Sequence, residues 1–402
     1  MAIKINKSLA LLITLAILFY CLDYYFRIVP SLVVRELMRQ YHSGPQLIGG
    51  FYSAFYFGYA LMQLPSGILL DRFSLKKIII SMILSCTVLF MLFVWISQPW
   101  FGVLLRFLIG SFSAFSFIAV LYIARHYFSE KYFSLISGIA IGGGTMAAAA
   151  AQAFSAYFLG ENDWHWVLSL QAAFGFLIAF GFYFANPEKI DKLYEKPKIS
   201  LRESLRELVF LLKNKLVIVN GITGALLYLP TSIFAAAWGV TFLRDHYGLS
   251  AKFASIGILC LFGGWALGSP LVGYFGGKSQ RSPLFILVCC LLLIVVSCAL
   301  LYLPHFIGKD VYLLLLLFGI LSSAQVLMWK IFARICPVHM TGVGVALTNT
   351  LVTLAVSIFH LVAAYLISLS SAGGLNLTLG LSLMPVLFFI TALSSLFLWK
   401  RL

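Results

Sequence analysis

Charged residues are scarce in this sequence. Of its 402 residues only 10% are Asp, Glu, Lys or Arg, whereas 62% are hydrophobic, and the mean hydropathy is +1.00. A soluble domain keeps roughly 25% charged residues because its surface must face water. The composition therefore argues against an ordinary soluble domain and indicates that lipid surrounds most of the exterior.

Sequence patterns of metal and catalytic sites are also missing. The seven cysteines all fall inside or at the edge of apolar runs, with no CxxC spacing, which argues against a disulfide framework and a zinc-type site. No Ser-His-Asp, HExxH or P-loop pattern emerges. We therefore expect no enzyme activity, no metal and no cofactor, and we interpret the cysteines as small apolar packing residues.

Apolar runs of about 20 residues recur along the chain, each long enough to cross a ~30 Å hydrocarbon core as a helix. The alternating pattern of a membrane β-barrel is absent. The first run is longer than a signal-peptide core, so we interpret it as a retained span. The sequence predicts an all-α polytopic membrane protein with twelve transmembrane helices, near residues 8–30, 46–70, 77–97, 100–127, 132–159, 166–186, 216–243, 251–276, 283–304, 310–336, 341–369 and 376–399.

The basic residues that give the chain its net charge of +15 are unevenly distributed. With the N-terminus in the cytoplasm, 21 of the 28 Lys and Arg residues lie on the cytoplasmic side, five lie in outer loops and two lie within spans. This is the positive-inside pattern. It predicts a cell inner (plasma) membrane protein with both termini cytoplasmic, in contact with anionic lipids of the cytoplasmic leaflet and not with nucleic acid.

A charged segment divides the chain into two halves. Residues 187–215 hold 13 of the 41 charged residues and separate six apolar runs from six. From Ser200 onward, leucines recur at helical spacing among basic residues, which is typical of an amphipathic helix on a membrane surface. A solvated linker fits the first ten residues equally well. The predicted domains are an N-terminal six-helix bundle (1–186), this cytoplasmic linker and a C-terminal six-helix bundle (216–402).

The two halves resemble copies of each other. A shift of 206 residues sets Gly67 on Gly273 and Gly138 on Gly344 without further adjustment. Repeats of this kind are common in membrane transporters, in which the substrate site lies between the repeats and one half rocks against the other. The alignment therefore predicts two bundles related by a pseudo-two-fold repeat.

The loop between the second and third spans carries a family signature. Its sequence, GILLDRFSLKK, resembles the G-x-x-x-D-R-x-G-R-R/K loop of the major facilitator superfamily, with matches at Gly67, Asp71, Arg72 and Lys76. Ser74 and Leu75 depart from that pattern. In this family the loop is a gate, which implies that Asp71 latches to neighbouring helices. Arg125 is a candidate partner for Asp71, and membrane anchoring at the cytoplasmic face is its alternative role.

Two further stretches extend the resemblance over essentially the whole chain. RFLIG, from Arg106 to Gly110, is similar to the R-x-x-x-G motif of the fourth helix in this superfamily, and NDWHW precedes the sixth span as is typical there. The chain broadly resembles the sugar-phosphate and organic-anion permease branch. The resemblance implies a transporter that works by alternating access.

The first span contains two charges in the stretch YCLDYYFRIVP. At a helical 100° per residue, Tyr20, Asp23, Tyr24 and Arg27 share one face. Charge that faces lipid is costly, so this face is expected to line a central cavity. We expect Arg27, with Tyr20 and Tyr24, to contact substrate.

Sugar porters of the superfamily pair a first-helix Asp with the fourth-helix Arg for proton coupling. The resemblance implies the same role for Asp23 and Arg106. A static bridge between Asp23 and either Arg27 or Arg106, which only holds helices together, remains an alternative. The sequence leaves open which of the two arginines pairs with Asp23.

The expected substrate is a small organic anion or zwitterion, because an arginine in excess over carboxylates binds carboxylate or phosphate in a bidentate fork. The seventh span has no interior Arg, so the two-Arg clamp of phosphate exchangers is not reproduced. Neutral residues within the spans are candidates for substrate hydrogen bonds, with packing between helices as the alternative; they are Gln63, Gln152, Tyr228, Gln325 and Asn349. His360 is expected to be a hydrogen-bonded core residue.

These observations predict a monomeric secondary active transporter that takes up a small organic solute with a proton. One alternative is a proton-driven exporter of a drug or metabolite. The glycine-rich stretch of the fifth span lacks the Pro of the exporter motif, which argues against this alternative but leaves it open. A second alternative is a sensor that binds solute without transporting it.

Overall fold

The computed structural model describes residues 7–128, 130–159, 163–185, 201–278, 281–303, 309–337, 340–369 and 375–402. Within these ranges ten helical segments are long and apolar enough to cross a membrane. Two further helices, Pro45–Arg72 and Glu130–Phe158, have 28 and 29 residues, which also suffices at about 1.5 Å per residue. The predicted all-α fold with twelve spans is confirmed.

The spans are numbered 1 to 12 in chain order. Spans 1 to 6 are Lys7–Ile28, Pro45–Arg72, Leu75–Trp95, Pro99–Tyr127, Glu130–Phe158, and Trp164–Ala172 continued by Phe174–Phe184. Spans 7 to 9 are Lys215–Leu227 continued by Pro230–Trp238 and Gly239–Tyr247, then Ala251–Lys278 and Ser282–Tyr302. Spans 10 to 12 are Lys309–Ser322 continued by Ser323–Val326 and Leu327–Ile335, then Thr341–Ser368, and Leu377–Leu381 continued by Leu383–Arg401.

Span 7 departs from the continuous α-helix that its apolar run predicts. Its central segment, Pro230–Trp238, is π-helical, and the helix then continues to Tyr247, four residues beyond the predicted end. Proline has no N–H to donate to the preceding turn, so an α-helical ladder cannot run unbroken through Pro230. A π-helical segment inside a helix accommodates such a break and is frequent at functional sites.

Span 1 begins and span 12 ends at the same side of the bundle, which we call the terminal face. Here Nη2 of Arg334 donates to the backbone carbonyl of Leu402 at 3.2 Å. The other side, where span 1 gives way to the short helices Val29–Val33 and Val34–Gln40, is called the opposite face. Asp23 and Arg106 both lie nearer to the opposite face along their spans.

Helix Leu201–Lys213 carries the leucines of the predicted amphipathic stretch. Leu211 is fully buried and packs in a cluster with Val217, Phe332 and Leu347. Leu205, by contrast, has 52% of its side chain exposed. The helix therefore packs one face against spans 7, 10 and 11 at the terminal face. Linker residues 187–200 lie outside the described ranges.

Spans 2 and 4 make one close crossing, and spans 8 and 10 make another. An ideal Cβ on Gly58 would lie 2.2 Å from the carbonyl oxygen of Phe107, and one on Gly264 would lie 2.1 Å from that of Leu316. Gly58 and Gly264 are again 206 residues apart in the sequence. Equivalent helix pairs of the two halves therefore meet at equivalent glycines, which supports the internal repeat. Small residues permit such close approach between membrane helices.

Asp163 is the N-cap residue of span 6. Its Oδ1 accepts hydrogen bonds from the backbone N–H of His165 at 2.9 Å and from Nδ1 of His165 at 2.6 Å. We expect Asp163→Ala to lower the free energy of unfolding by about 1 kcal/mol, because the cap is lost. Asp163→Asn, which preserves a capping oxygen, is expected to recover most of that loss. Thermal unfolding of the purified protein in detergent measures both, and equal losses in the two variants would contradict the capping role.

The same bonds hold the pKa of Asp163 below its usual range, the side-chain bond from His165 having the largest effect. A carboxyl group with a lowered pKa stabilises the fold above its unfolded pKa, and this contribution is lost as the pH falls through the folded value. The difference between wild type and Asp163→Ala is therefore expected to shrink in acid.

Candidate functional site

Asp23 and Arg27 form an ion pair within span 1. Nη2 of Arg27 donates to Oδ2 of Asp23 at 2.6 Å, and Nε of Arg27 lies 3.4 Å from Oδ1. Both residues are buried, with 0% of Asp23 and 5% of Arg27 exposed. Residues four apart are neighbours on a helix surface, so the pair needs no second helix to form. The structure thus selects Arg27 as the partner that the sequence left open.

Ser116 of span 4 also binds this carboxylate. Its Oγ donates to Oδ2 of Asp23 at 3.2 Å. A buried ion pair is expensive to desolvate unless additional hydrogen bonds satisfy its remaining lone pairs. Ser116 supplies such a bond and links spans 1 and 4 at Asp23.

Four aromatic rings surround the guanidinium of Arg27. Its Cζ lies 4.6 Å from the ring centre of Tyr59 and 4.8 Å from that of Tyr24. The rings of Phe55 and Tyr56 both lie at 5.8 Å. A cation near an aromatic ring face gains about 0.5–1 kcal/mol at exposed sites and more when desolvated. These rings therefore stabilise the charge of Arg27 independently of its carboxylate partner.

Tyr20 and Tyr24 pack together beside this ion pair. Their ring centres are 5.1 Å apart in an edge-to-face arrangement, and Tyr20 also packs on Phe117 at 4.9 Å. An ideal Cβ on Gly144 would lie 2.7 Å from the Tyr24 ring, so the backbone of span 5 rests against these rings. The predicted polar face of span 1 is therefore buried among spans 2, 4 and 5.

Arg106 of span 4 is fully buried and binds backbone carbonyls. Its Nη1 donates to the carbonyl of Phe26 at 2.7 Å, and its Nε donates to that of Phe51 at 3.4 Å. These bonds join span 4 to spans 1 and 2. The bridge between Asp23 and Arg106 that the family resemblance implies is not formed in this structure, because Asp23 pairs with Arg27.

His360 of span 11 packs against span 2 from the other half of the chain. Its ring stacks on Tyr52 at 4.9 Å and on Tyr56 at 5.3 Å, with interplanar angles of 13° and 15°. The residue is fully buried, and neither ring nitrogen has a hydrogen-bond partner among the described residues. Stacking on span 2 therefore holds this ring in place, and no described residue provides the hydrogen bond that the sequence predicts.

Gln152 of span 5 bridges the two halves. Its Nε2 donates to Oγ of Ser31 at 3.0 Å and to the carbonyl of Ala235 at 3.2 Å. Ala235 lies in the π-helical segment of span 7. These bonds pack Gln152 between helices, and its contact with substrate stays a prediction.

The other neutral candidates lie at varied positions. Gln63 is buried on span 2, one helical turn beyond Tyr59. Tyr228 is half-buried at the break in span 7. Gln325 and Asn349 are half-buried in spans 10 and 11, and Nε2 of Gln325 donates to a backbone carbonyl of span 7 at 3.1 Å.

Hydrogen bonds near the opposite face tie the two halves together. Oγ of Ser53 and Oγ of Ser357 lie 2.9 Å apart, and Ser357 also donates to the carbonyl of Ser53. Arg35 forms an ion pair with Asp245 across the same junction. Together with the bond from Gln152 to span 7, these contacts show that the bundle is closed at the opposite face.

The sequence interpretation missed several residues of this site. Tyr52, Tyr56, Tyr59 and Gln63 recur at helical steps of four, three and four residues, which places them on one face of span 2. Of these four residues, the sequence analysis names Gln63 alone, although the helical spacing could have identified the three tyrosines. Ser116 carried no comparable sequence signal, since its role depends on how spans 1 and 4 cross.

A comparison with known protein families identifies the family of this chain. The sequence profile described as Major Facilitator Superfamily matches residues 13–360. The chain belongs to the major facilitator superfamily. A search of curated protein sequences finds no significant match.

Solved structures of this superfamily have the same fold. A bacterial homologue of the human lysosomal transporter Spinster, in an inward-facing and occupied conformation, is 17% identical and has a TM-score of 0.76, with 99% of this chain and 98% of that chain covered. The nucleoside transporter NupG is 15% identical, with a TM-score of 0.76 and coverage of 98% and 100%. A D-xylose-proton symporter is 12% identical, with a TM-score of 0.72 and coverage of 98% of both chains.

The superfamily signature loop lies at the terminal face, between spans 2 and 3. Gly67 has open space around it, with no atom within 4 Å of an ideal Cβ. Nζ of Lys76 lies 4.6 Å from the ring centre of Tyr183 in span 6. The side chains of Asp71, Arg72 and Arg125 lie outside the described part of the structure, and the latch between Asp71 and Arg125 stays a prediction.

Proposed function

We propose that this superfamily transporter takes up a small organic anion or zwitterion together with a proton, and that Asp23 carries the proton. The buried ion pair between Asp23 and Arg27 is the observation that supports this most directly. Asp23 is fully buried and hydrogen-bonded by Ser116, while aromatic rings stabilise Arg27 separately. An ionisable residue inside a membrane span is a functional candidate because its charge is costly there.

The proposed coupling follows from charge balance at this pair. A proton that binds Asp23 neutralises the carboxylate and releases Arg27 from its salt bridge. Arg27 then binds a substrate carboxylate, which replaces the lost partner with the same bidentate geometry. One proton and one monovalent anion thus enter the site together, and the net charge of the site does not change. Arg106 holds spans 1, 2 and 4 together around the pair and acts as a positioning residue.

Alternating access requires the closed junction at the opposite face to separate. We place the terminal face in the cytoplasm, following the positive-inside pattern, in the inner (plasma) membrane. The bundles 1–186 and 216–402 then rock about the site, with residues 187–215 as their cytoplasmic linker. The ion pair between Arg35 and Asp245 and the bonds between Ser53 and Ser357 break when the site opens to the outside.

Transport by purified protein in liposomes tests this function. Radiolabelled carboxylates, amino acids, sugars, sugar phosphates and nucleosides are offered with and without an inward proton gradient. We expect accumulation of at least one carboxylate or amino acid, with an initial rate raised at least about tenfold by the gradient, because proton entry drives each cycle. The membrane potential is expected to have little effect on a monovalent anion.

Protein-free liposomes and liposomes carrying heat-denatured protein are the controls. Accumulation of sugars or nucleosides alone would contradict the anion preference. Saturable binding without any transport would instead support the sensor function. An outward movement driven by an inward proton gradient would assign export, and the direction proposed here would be wrong.

A further inference from the structure

A group of buried polar atoms lies next to the ion pair and takes no part in it. Nη2 of Arg106, the hydroxyl of Tyr56 and both ring nitrogens of His360 are buried without hydrogen-bond partners among the described residues. A buried polar atom without a partner costs about 1–3 kcal/mol, and more when it is charged. Several such atoms in one region are candidate ligands for a bound group.

These residues belong to one contact between the two halves. His360 of span 11 stacks on Tyr52 and Tyr56 of span 2. The guanidinium carbon of Arg106 lies 5.9 Å from the Tyr52 ring centre. The Tyr52 ring therefore contacts both the cation and the imidazole. An ideal Cβ on Gly49 would lie 2.8 Å from the His360 carbonyl, which shows how closely spans 2 and 11 meet here.

The hydrogen-bonding character of these unpartnered atoms indicates which kind of ligand would fit. The guanidinium of Arg106 and the tyrosine hydroxyl present N–H and O–H donors, and the imidazole of His360 presents at least one N–H donor. The described residues give Arg106 two backbone carbonyls, which are neutral acceptors, and no carboxylate. The rings of Phe55 and Phe93 lie 4.7 and 5.5 Å from its guanidinium carbon, but they carry no opposite charge, and buried charges in proteins are as a rule paired. The group that fits is small, negatively charged and able to accept several hydrogen bonds.

We propose that Arg106, Tyr56 and His360, stacked with Tyr52, form a binding site for one small anion at the contact between the halves. The anion is either a free inorganic ion or the carboxylate of a larger solute. Because its ligands come from spans 2, 4 and 11, the bound anion holds the halves together at the opposite face. This inference does not depend on proton coupling at Asp23.

Thermal unfolding of the purified full-length protein tests the site. Sodium chloride, nitrate, formate and acetate are titrated separately against sodium methanesulfonate at constant ionic strength. A specific anion stabilises the folded state by RT ln(1 + [L]/Kd), so the unfolding midpoint rises along a saturating curve. Saturation with chloride or nitrate identifies a free inorganic ion as the ligand. Saturation with formate and acetate alone identifies a carboxylate.

Two conservative variants locate the effect. His360→Phe retains the stack on Tyr52 and Tyr56 but removes both ring nitrogens, and Tyr56→Phe removes one hydroxyl. We expect the apparent Kd for the anion to rise at least about tenfold in His360→Phe and severalfold in Tyr56→Phe. Tyr365→Phe is the matched control, since Tyr365 lies on the same span as His360 with 59% of its side chain exposed.

The result that overturns the proposal is equally specific. A non-saturating rise with every salt, or no rise at all, means that water alone satisfies these atoms. The same saturating curve in wild type and in His360→Phe means that the anion binds elsewhere. Neither result bears on the liposome experiment, so failure of this site and failure of the transport function are distinguishable.

Discussion

Asp23→Asn is expected to abolish the stimulation of uptake by a proton gradient and to lower gradient-driven uptake at least about tenfold. Asparagine has nearly the same shape as aspartate but does not take up a proton in this pH range. The variant therefore resembles the protonated state permanently, in which Arg27 is free to bind anion. Exchange of labelled for unlabelled solute needs no net proton movement and is expected to persist. Initial rates of uptake and of counterflow in liposomes measure the two effects.

A control variant at another carboxylate distinguishes the loss of proton coupling from a general effect of removing a negative charge. Asp310 lies in the first turn of span 10 and is exposed, so Asp310→Asn is expected to behave like wild type in both assays. Removal of one partner from a buried ion pair typically costs about 3–5 kcal/mol, so the folded fraction of Asp23→Asn must be measured as well. The double variant Asp23→Asn/Arg27→Gln leaves no buried charge unpaired at this position. Gradient-stimulated uptake by folded Asp23→Asn would exclude Asp23 as the proton site.

Gly264→Ala is expected to destabilise the C-terminal bundle strongly, whereas Gly263→Ala is expected to be neutral or stabilising. A Cβ on Gly264 would lie 2.1 Å from the Leu316 carbonyl oxygen, and that backbone cannot move without separating spans 8 and 10. Overpacking of this kind costs about 1–3 kcal/mol or more. Around Gly263 no atom lies within 4 Å of an ideal Cβ, so Ala there removes only the helix penalty of glycine, about 0.5–1 kcal/mol.

Thermal unfolding of the two neighbouring variants is the measurement, and each is the control of the other. In the N-terminal bundle, Gly58→Ala and Gly50→Ala form the corresponding pair on span 2. A Cβ on Gly58 would clash with the Phe107 carbonyl, whereas Gly50 has no atom within 4 Å. Equal stability of Gly263→Ala and Gly264→Ala would show that spans 8 and 10 adjust to an added methyl group.

The predicted spans agree with the helices because the physical signal is local and strong. A run of about 20 apolar residues has few alternatives in a membrane, where each backbone N–H and C=O must be hydrogen-bonded within the segment. The break in span 7 was not predicted, although Pro230 was visible in the sequence. A proline predicts that the α-helical hydrogen-bond pattern is interrupted. The packing of neighbouring helices decides whether the result is a kink or a π-helical segment.

At the candidate site, the sequence predicted which residues share a helix face but not which charges form a pair. Helical spacing placed Tyr20, Asp23, Tyr24 and Arg27 on one face of span 1, which agrees with the structure. The same spacing rule could not decide whether Asp23 pairs with Arg27 or Arg106, since both arrangements satisfy the charge. The pairing depends on the side-chain geometry of spans 1, 2 and 4 together, including the carbonyls of Phe26 and Phe51 that bind Arg106.

Local sequence patterns suffice to predict a membrane protein, its number of spans and its superfamily, because hydropathy, glycine spacing and the signature loop are all encoded within short stretches. The pairing of charges, the polar atoms left without partners among the described residues and the contacts between the halves depend on the tertiary structure. His360 and Tyr56 are about 300 residues apart in the chain. Contacts of this kind depend on the relative position of whole helices, and no local pattern of residues specifies that position.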